Sequence, residues 1–223
     1  MITVHHLNNS RSQRVLWLLE ELGVPYRVRR YERDPKTMLA PPALRKVHAL
    51  GKSPVLTDGR LTLAESGAIV EYLVERYGQG RLVPAPGTAA RLRWIYWLHY
   101  AEGSAMQPLV FKLVFDRIEV TPMPLLARPV ARAICERAKK DFILPQIAQH
   151  LDYLETEVGK TGWFAGRAFS AADIQMSFPL EAAATSAGLD QSRPRLMDFL
   201  RRIHARPAYQ AALAQGGPYD LAA

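Results

Sequence analysis

The chain has 223 residues, 48% hydrophobic and 22% charged, which suits one large or two small globular domains and excludes a disordered polypeptide. Its net charge of +8 invites a nucleic-acid reading, but the basic residues are scattered and no helix-turn-helix, zinc-finger or RNP-like motif accompanies them. The charge reads instead as a field that helps collect anionic ligands, with no nucleic-acid partner expected. A single cysteine, Cys135, excludes an internal disulfide framework and fits a reducing compartment. No secretory leader is visible and no apolar run approaches the roughly 20 residues of a membrane span, so a cytoplasmic protein without a membrane partner is expected.

From the N-terminus, Ile2–His6 reads as a strand, and Tyr26–Tyr31 alternates as a half-exposed one. Between them Val15, Leu18, Leu19 and Leu22 share one helix face, closed by Gly23. Such a βαβ unit predicts a parallel pair with a crossover helix. Pro35–Val47 reads as an irregular helix interrupted by Pro41-Pro42. Val55-Leu56-Thr57 and Leu61-Thr62-Leu63 flank Asp58-Gly59, a strong hairpin signal, and an amphipathic helix follows over Ala64–Tyr77.

Gly and Pro then crowd residues 79–87, which mark a linker. Beyond it strand alternation disappears. Long helical periods span Ala89 to about Glu119 and Ala131–Val158, with Pro108 and Pro145 predicting a kink in each. Ser170-Ala-Ala-Asp173 is a capping-box variant before an apolar helix that Pro179 is expected to bend. The organisation is a small α/β domain over residues 1–78 and an all-helical domain over residues 88–223.

The segment Leu50–Leu73 carries most of the functional information. It joins Ser53-Pro54, whose peptide bond can be cis, to a hairpin and a helix opening on Glu65-Ser66. Backbone beside such a turn can pair with an extended peptide, and a helix N-terminus offers N–H groups to a carboxylate. The combination suits a small acidic peptide. No His/Asp/Glu cluster has metal-ligand spacing, and His5 and His6 point to opposite faces of a strand.

With Ser53-Pro54-Val55, Glu65-Ser66, the Gly/Pro linker and Gly166–Ile174 in place, nearly the whole chain resembles a soluble glutathione S-transferase, of the bacterial serine type. The resemblance implies a thioredoxin-like α/β N-terminal domain, an all-α C-terminal helical bundle, and glutathione as co-substrate with no metal. It also implies a homodimer in which the N-terminal domain of one subunit meets the helical domain of the other. Transferred by position, Val55 would pair with the cysteinyl backbone of glutathione, and Ser66 with Glu65 would hold its γ-glutamyl end. Lys52 would meet the glycyl carboxylate, with His48 and Lys46 as alternatives.

Glutathione's thiol, with a pKa near about 8.5, is only a few per cent thiolate at neutral pH. Lowering that value by about two units takes roughly 2.7 kcal/mol, within reach of one charge-assisted hydrogen bond and a helix N-terminus. The donor should stand between the first strand and first helix, in Leu7–Arg14. Ser10 is the leading candidate and Asn9 the alternative; no tyrosine or cysteine occurs there. The resemblance further implies an electrophile pocket against the first long helix of the second domain, with Leu7, Trp97, Tyr100, Met106, Leu109, Phe111 and Val114 as candidates. The expected activity is thiolate addition to an apolar electrophile, with glutathione-dependent peroxidase activity also open. A non-catalytic glutathione-binding or protein-interaction module on the same scaffold is the other reading.

Overall fold

The computed structural model describes residues 1–222. Its sheet contains β1 (Ile2–Leu7), β2 (Tyr26–Tyr31), β3 (Val55–Asp58) and β4 (Leu61–Ala64), in the order β2-β1-β3-β4. β1 and β2 are parallel and linked by α1 (Ser12–Leu22), while β3 pairs antiparallel with both β1 and β4. Alternation along β1 separates its two histidines as expected. His5 bonds to Tyr31 on one face of the sheet, and His6 meets Ser12 of α1 on the other.

Pro35–Val47 departs from the expected helix, since only α2 (Pro42–Arg45) is helical there. Pro41 and Pro42 lack the N–H groups a longer helix needs. The Asp34 carboxylate also accepts the Lys36 and Thr37 N–H groups at 2.9 and 2.7 Å, which favours a turn. α3 (Ser66–Tyr77) then closes the α/β domain.

The second domain is all-helical: α4 (Ala89–Tyr100), α5 (Met106–Val120), α6 (Arg128–Ala138), α7 (Leu144–Thr161), α8 (Ala171–Ser186), α9 (Pro194–His204) and α10 (Pro207–Gly216). Pro108 and Pro145 are absorbed by π-helical turns, Ala101–Ala105 and Lys139–Ile143. Each turn contains the residue four before its proline, Ser104 or Asp141, whose carbonyl the ring would otherwise strike. At α8 the Asp173 carboxylate accepts the N–H groups of Ser170 and Phe164, each at 2.8 Å, completing the capping box. Burial nevertheless raises its pKa to about 6 against those hydrogen bonds.

One core runs through both domains. Trp17 of α1 is 1% exposed and packs edge-on against Tyr209 of α10, with ring centres 5.1 Å apart, and against Phe169 before α8. A side chain of that size buries about 150–250 Å², so truncating it would cost about 3–5 kcal/mol. α1 is therefore held by the sheet on one side and by the helical domain on the other. That fixes the loop in front of it.

Candidate active site

α3 opens on Ser66, and the N–H groups of its first turn lack helical acceptors, as at any helix N-terminus. Glu65 precedes it at φ 68°, a left-handed conformation that costs a residue with a side chain about 1–3 kcal/mol. The buried Ser66 Oγ accepts hydrogen bonds from the Arg14 guanidinium at 3.0 Å and the Gln175 amide at 3.2 Å. Both lone pairs are thus occupied, and the hydroxyl proton is left to donate outward, where Glu102 Oε1 accepts at 3.5 Å. A carboxylate approaching α3 would meet this O–H together with the helix N–H groups.

Arg14 is 1% exposed, and a buried cation must be paired. It donates to Glu102 at 2.5 Å and to the Gln175 carbonyl at 2.6 Å, besides Ser66. That carbonyl is available because Pro179, four residues on, has no N–H to complete the helical bond. Arg11 takes the other Glu102 oxygen at 2.8 Å. Burial pushes the Glu102 carboxyl up, but the charges and hydrogen bonds of Arg14 and Arg11 outweigh it and hold the group below the usual carboxylate range. Phe178 of α8 lies under both guanidiniums, 5.1 and 5.3 Å from its ring centre.

The loop before α1 is built differently. Asn9 sits at φ 47°, a conformation that asparagine tolerates. Its Nδ2 donates to Asp220 Oδ2 at 2.6 Å and its Oδ1 accepts the Asp220 N–H at 3.0 Å, tying the loop to the C-terminal tail. Ser10, 4% exposed, accepts the Ser12 N–H at 3.3 Å, which caps the start of α1. Its Oγ lies 2.7 Å from Ser12 Oγ and donates to Ser53 Oγ at 3.3 Å. Ser12 Oγ in turn lies 2.9 Å from His6 Nδ1. Burial, and next the charge of Arg30, lower the His6 pKa to about 4 and keep the ring neutral. With Nδ1 as acceptor, the Ser12 proton goes to His6, and the Ser10 proton can point to Ser12, Ser53 or a ligand sulfur beside them.

Two adjoining cavities open between these elements and share Arg11, Leu50, Lys52 and Ser53. One, of about 290 Å³, is walled by His48, Pro54, Glu65, Ser66 and Glu102. The other, of about 260 Å³, is walled by Leu7, Asn9, Ser10, Arg33, Arg45 and Phe178. The Ser53–Pro54 bond is cis. Val55 lines neither cavity, because β3 lies between β1 and β4, where Val55 is fully buried and paired with His5 and Ala64. Ser53, which precedes that ladder, lines both cavities. Lys46 is exposed and walls neither cavity.

Of the residues expected around the electrophile, Leu7 alone lines the cavity at Ser10. Trp97 and Tyr100 are buried in the helical domain against Tyr153, because the aromatic stripe of α4 faces α7 rather than the cleft. Phe111 and Val114 lie on the outer face of α5, 50% and 48% exposed. Leu109 faces a small internal crevice with Ile147 and Leu180. Met106 packs with Phe178 and Tyr219, one layer behind the cavity.

Comparison with known proteins agrees with this geometry. Residues 10–76 match the family description "Glutathione S-transferase, N-terminal domain" and residues 127–216 match "Glutathione S-transferase, C-terminal domain". The chain is 35% identical over 212 residues to glutathione S-transferase 3 of Schizosaccharomyces pombe, covering 95% of this chain and 86% of that one. The chain belongs to the glutathione S-transferase family. It is a transferase by that membership, with the thioredoxin-like and helical domains its sequence led one to expect. It is also 30% identical to glutathione S-transferase 1 of Saccharomyces cerevisiae, covering 95% and 94% of the two chains. A glutathione S-transferase structure from Actinobacillus pleuropneumoniae superposes with a TM-score of 0.83 at 31% identity, over 99% of this chain and 95% of that one.

Arg11, Arg14, Glu102, Gln175 and Phe178 were not among the residues singled out in the sequence of this glutathione S-transferase. One signal was present, an arginine in front of the apolar run Val15–Leu19. Another was the mid-helix Pro179, which guarantees a free carbonyl at Gln175. Neither signal names the partner. Among the described residues no group of His, Cys, Asp and Glu is placed to hold a metal, and no helix is long and apolar enough to cross a membrane.

Proposed function

We propose that this transferase binds glutathione across the two cavities and adds its thiolate to an electrophile carried in the one beside Ser10. The γ-glutamyl carboxylate meets the Ser66 hydroxyl and the α3 N-terminus, and the ammonium sits between Glu65 and Glu102. The cysteinyl backbone runs along Ser53, and the glycyl carboxylate reaches Lys52, with His48 on the same wall. The thiolate then lies by Ser10, whose O–H donates to it. A carbon–sulfur bond forms, the electron pair passes to the leaving group, and the thiol proton is released to water. Reduction of an organic hydroperoxide by the same sulfur is a second reaction the site could run. Two proteins of the same fold, 24% and 23% identical to this chain, have been solved in complex with glutathione and with oxidized glutathione.

The observation that carries this reading is the Ser66 oxygen, saturated by Arg14 and Gln175 so that it must donate. Calorimetry should show glutathione binding, and 1-chloro-2,4-dinitrobenzene should be conjugated faster than in buffer. Binding without turnover would favour a glutathione-binding module, a reading supported by Ser10's capping bond to Ser12. No binding would refute both. A homodimer is part of the proposal: α4 and α5 expose Leu92, Tyr96, Phe111 and Val114, an apolar face suited to a second subunit. Light scattering should give twice the 25.0 kDa chain mass. We place the protein in the cytoplasm, which suits its one buried, free cysteine.

A further inference from the structure

We infer that Arg11 is a catalytic residue, whose guanidinium takes up the negative charge that builds on the electrophile as the carbon–sulfur bond forms. The inference rests on the glutathione-transferase reading and names a further group, and a substrate class, for the same site. Arg11 follows Ser10 in the chain and walls both cavities.

Helix formation does not call for an arginine here. Arg11 occupies the N-cap of α1 without a side-chain capping bond, and the cap comes from Ser10 instead. The dipole of α1 opposes a cation at that end. Its Nε donates to Glu102, and no described residue accepts a hydrogen bond from its two terminal amino groups.

Glu102 does not cancel this charge. The one carboxylate is shared with Arg14, which lies closer, at 2.5 Å, and is too deeply buried to give it up. Two guanidiniums against one carboxylate leave a net positive charge, and it faces outward at Arg11, whose side chain is 32% exposed. Phe178 supports the Arg11 guanidinium from one face, 5.1 Å from its ring centre, and lines the cavity beside Ser10 together with Leu7. An electrophile resting on Leu7 and Phe178 shares that cavity with the sulfur at Ser10 and with the free N–H groups of Arg11.

A neutral electrophile gains little from the cation before it reacts. As the sulfur adds, an electron pair moves onto the electrophile. Where that pair settles on a nitro or carbonyl oxygen, a guanidinium can donate to it in its preferred planar geometry. Stabilisation confined to the transition state raises kcat rather than binding. The electrophiles favoured by this arrangement are nitroarenes and conjugated carbonyl compounds.

The test compares wild type, Arg11→Gln and Arg11→Lys with 1,3,5-trinitrobenzene. The thiolate of glutathione bonds to a ring carbon, no group leaves, and the electron pair stays on the nitro groups as a coloured anionic adduct. Its absorbance on the enzyme gives the adduct formation constant. Referring this constant to bound thiolate, above the thiol pKa of each variant, removes any change in thiol ionisation. Arg11→Gln should lower the constant by about tenfold or more, and kcat/KM for 1-chloro-2,4-dinitrobenzene with it. The Kd for glutathione should stay within about threefold, which also reports an intact fold. Arg11→Lys keeps the charge and should recover part of the loss; no recovery would overturn a role for the charge. An unchanged adduct constant in Arg11→Gln overturns the inference, whether the variant instead weakens glutathione binding or raises the thiol pKa. If calorimetry shows no glutathione binding to wild type, the parent reading falls as well; binding and turnover with an unchanged adduct constant sink this inference alone.

Discussion

The two halves of the site are held by different kinds of interaction. At α3, Ser66 is fixed by a buried cation that is itself held by Glu102 and the Gln175 carbonyl. At the start of α1, Ser10 is held by neutral hydroxyls and an amide, in a chain from Ser53 through Ser12 to His6. A charged network in a buried place has essentially one arrangement, because leaving any member unpaired is expensive. In the hydroxyl chain Ser12 donates to a neutral His6 and Ser53 to the His5 carbonyl, which leaves the Ser10 proton free to rotate. The first suits the grip on a fixed carboxylate, and the second suits a proton that must turn towards a sulfur.

The sharpest way to break the contrast is Arg14→Met, which leaves the half-buried Glu102 with Arg11 alone and strands the Gln175 carbonyl without a donor. It should destabilise the fold by about 3–5 kcal/mol in urea unfolding. A loss below about 1 kcal/mol would show that the network does not hold the domains together. The next largest effect concerns His6. The folded chain keeps it neutral down to about pH 4, whereas the unfolded chain takes up the proton near 6.5, so acidification through that window favours unfolding. Wild type should lose about 3 kcal/mol more than His6→Asn between about pH 6.5 and 4; equal losses would contradict a neutral His6.

Ser66→Ala removes the outward O–H but leaves Arg14 and Glu102 paired. The Kd for glutathione should rise by roughly one to two orders of magnitude, with kcat at saturation within about threefold. The smallest effect belongs to Asn9→Ala, which unties the exposed contact with Asp220. Its kcat should stay within about threefold of wild type, as an exposed contact is worth at most about 1 kcal/mol. A larger loss would move the activating role from Ser10 to Asn9.

How much of this was legible in the sequence follows the same division. Leu50–Leu73 could be read because a hairpin, a proline turn and a helix start are local events, and each is found where the residues put it. The Asn9–Ser10 segment was singled out from the family resemblance, which implies a thiol-activating donor before the first helix, and both residues line one of the cavities. Arg14's partners could not be found that way, since Glu102 and Gln175 lie 88 and 161 residues along the chain. Trp97 and Tyr100 teach the reverse lesson. Helical spacing shows that a face is buried but not against what, and theirs packs on α7. Val55 is paired on both sides within the sheet and lines neither cavity, whereas Ser53, two positions earlier, lines both.

The division of labour is tested most directly by titrating the thiol of bound glutathione, followed by thiolate absorbance in the ultraviolet, in wild type, Ser10→Ala and Ser66→Ala. The account expects a depressed thiol pKa in wild type and in Ser66→Ala once saturated, rising by about one to two units towards 8.5 in Ser10→Ala. A depression that survives in Ser10→Ala but is lost in Ser66→Ala would contradict it.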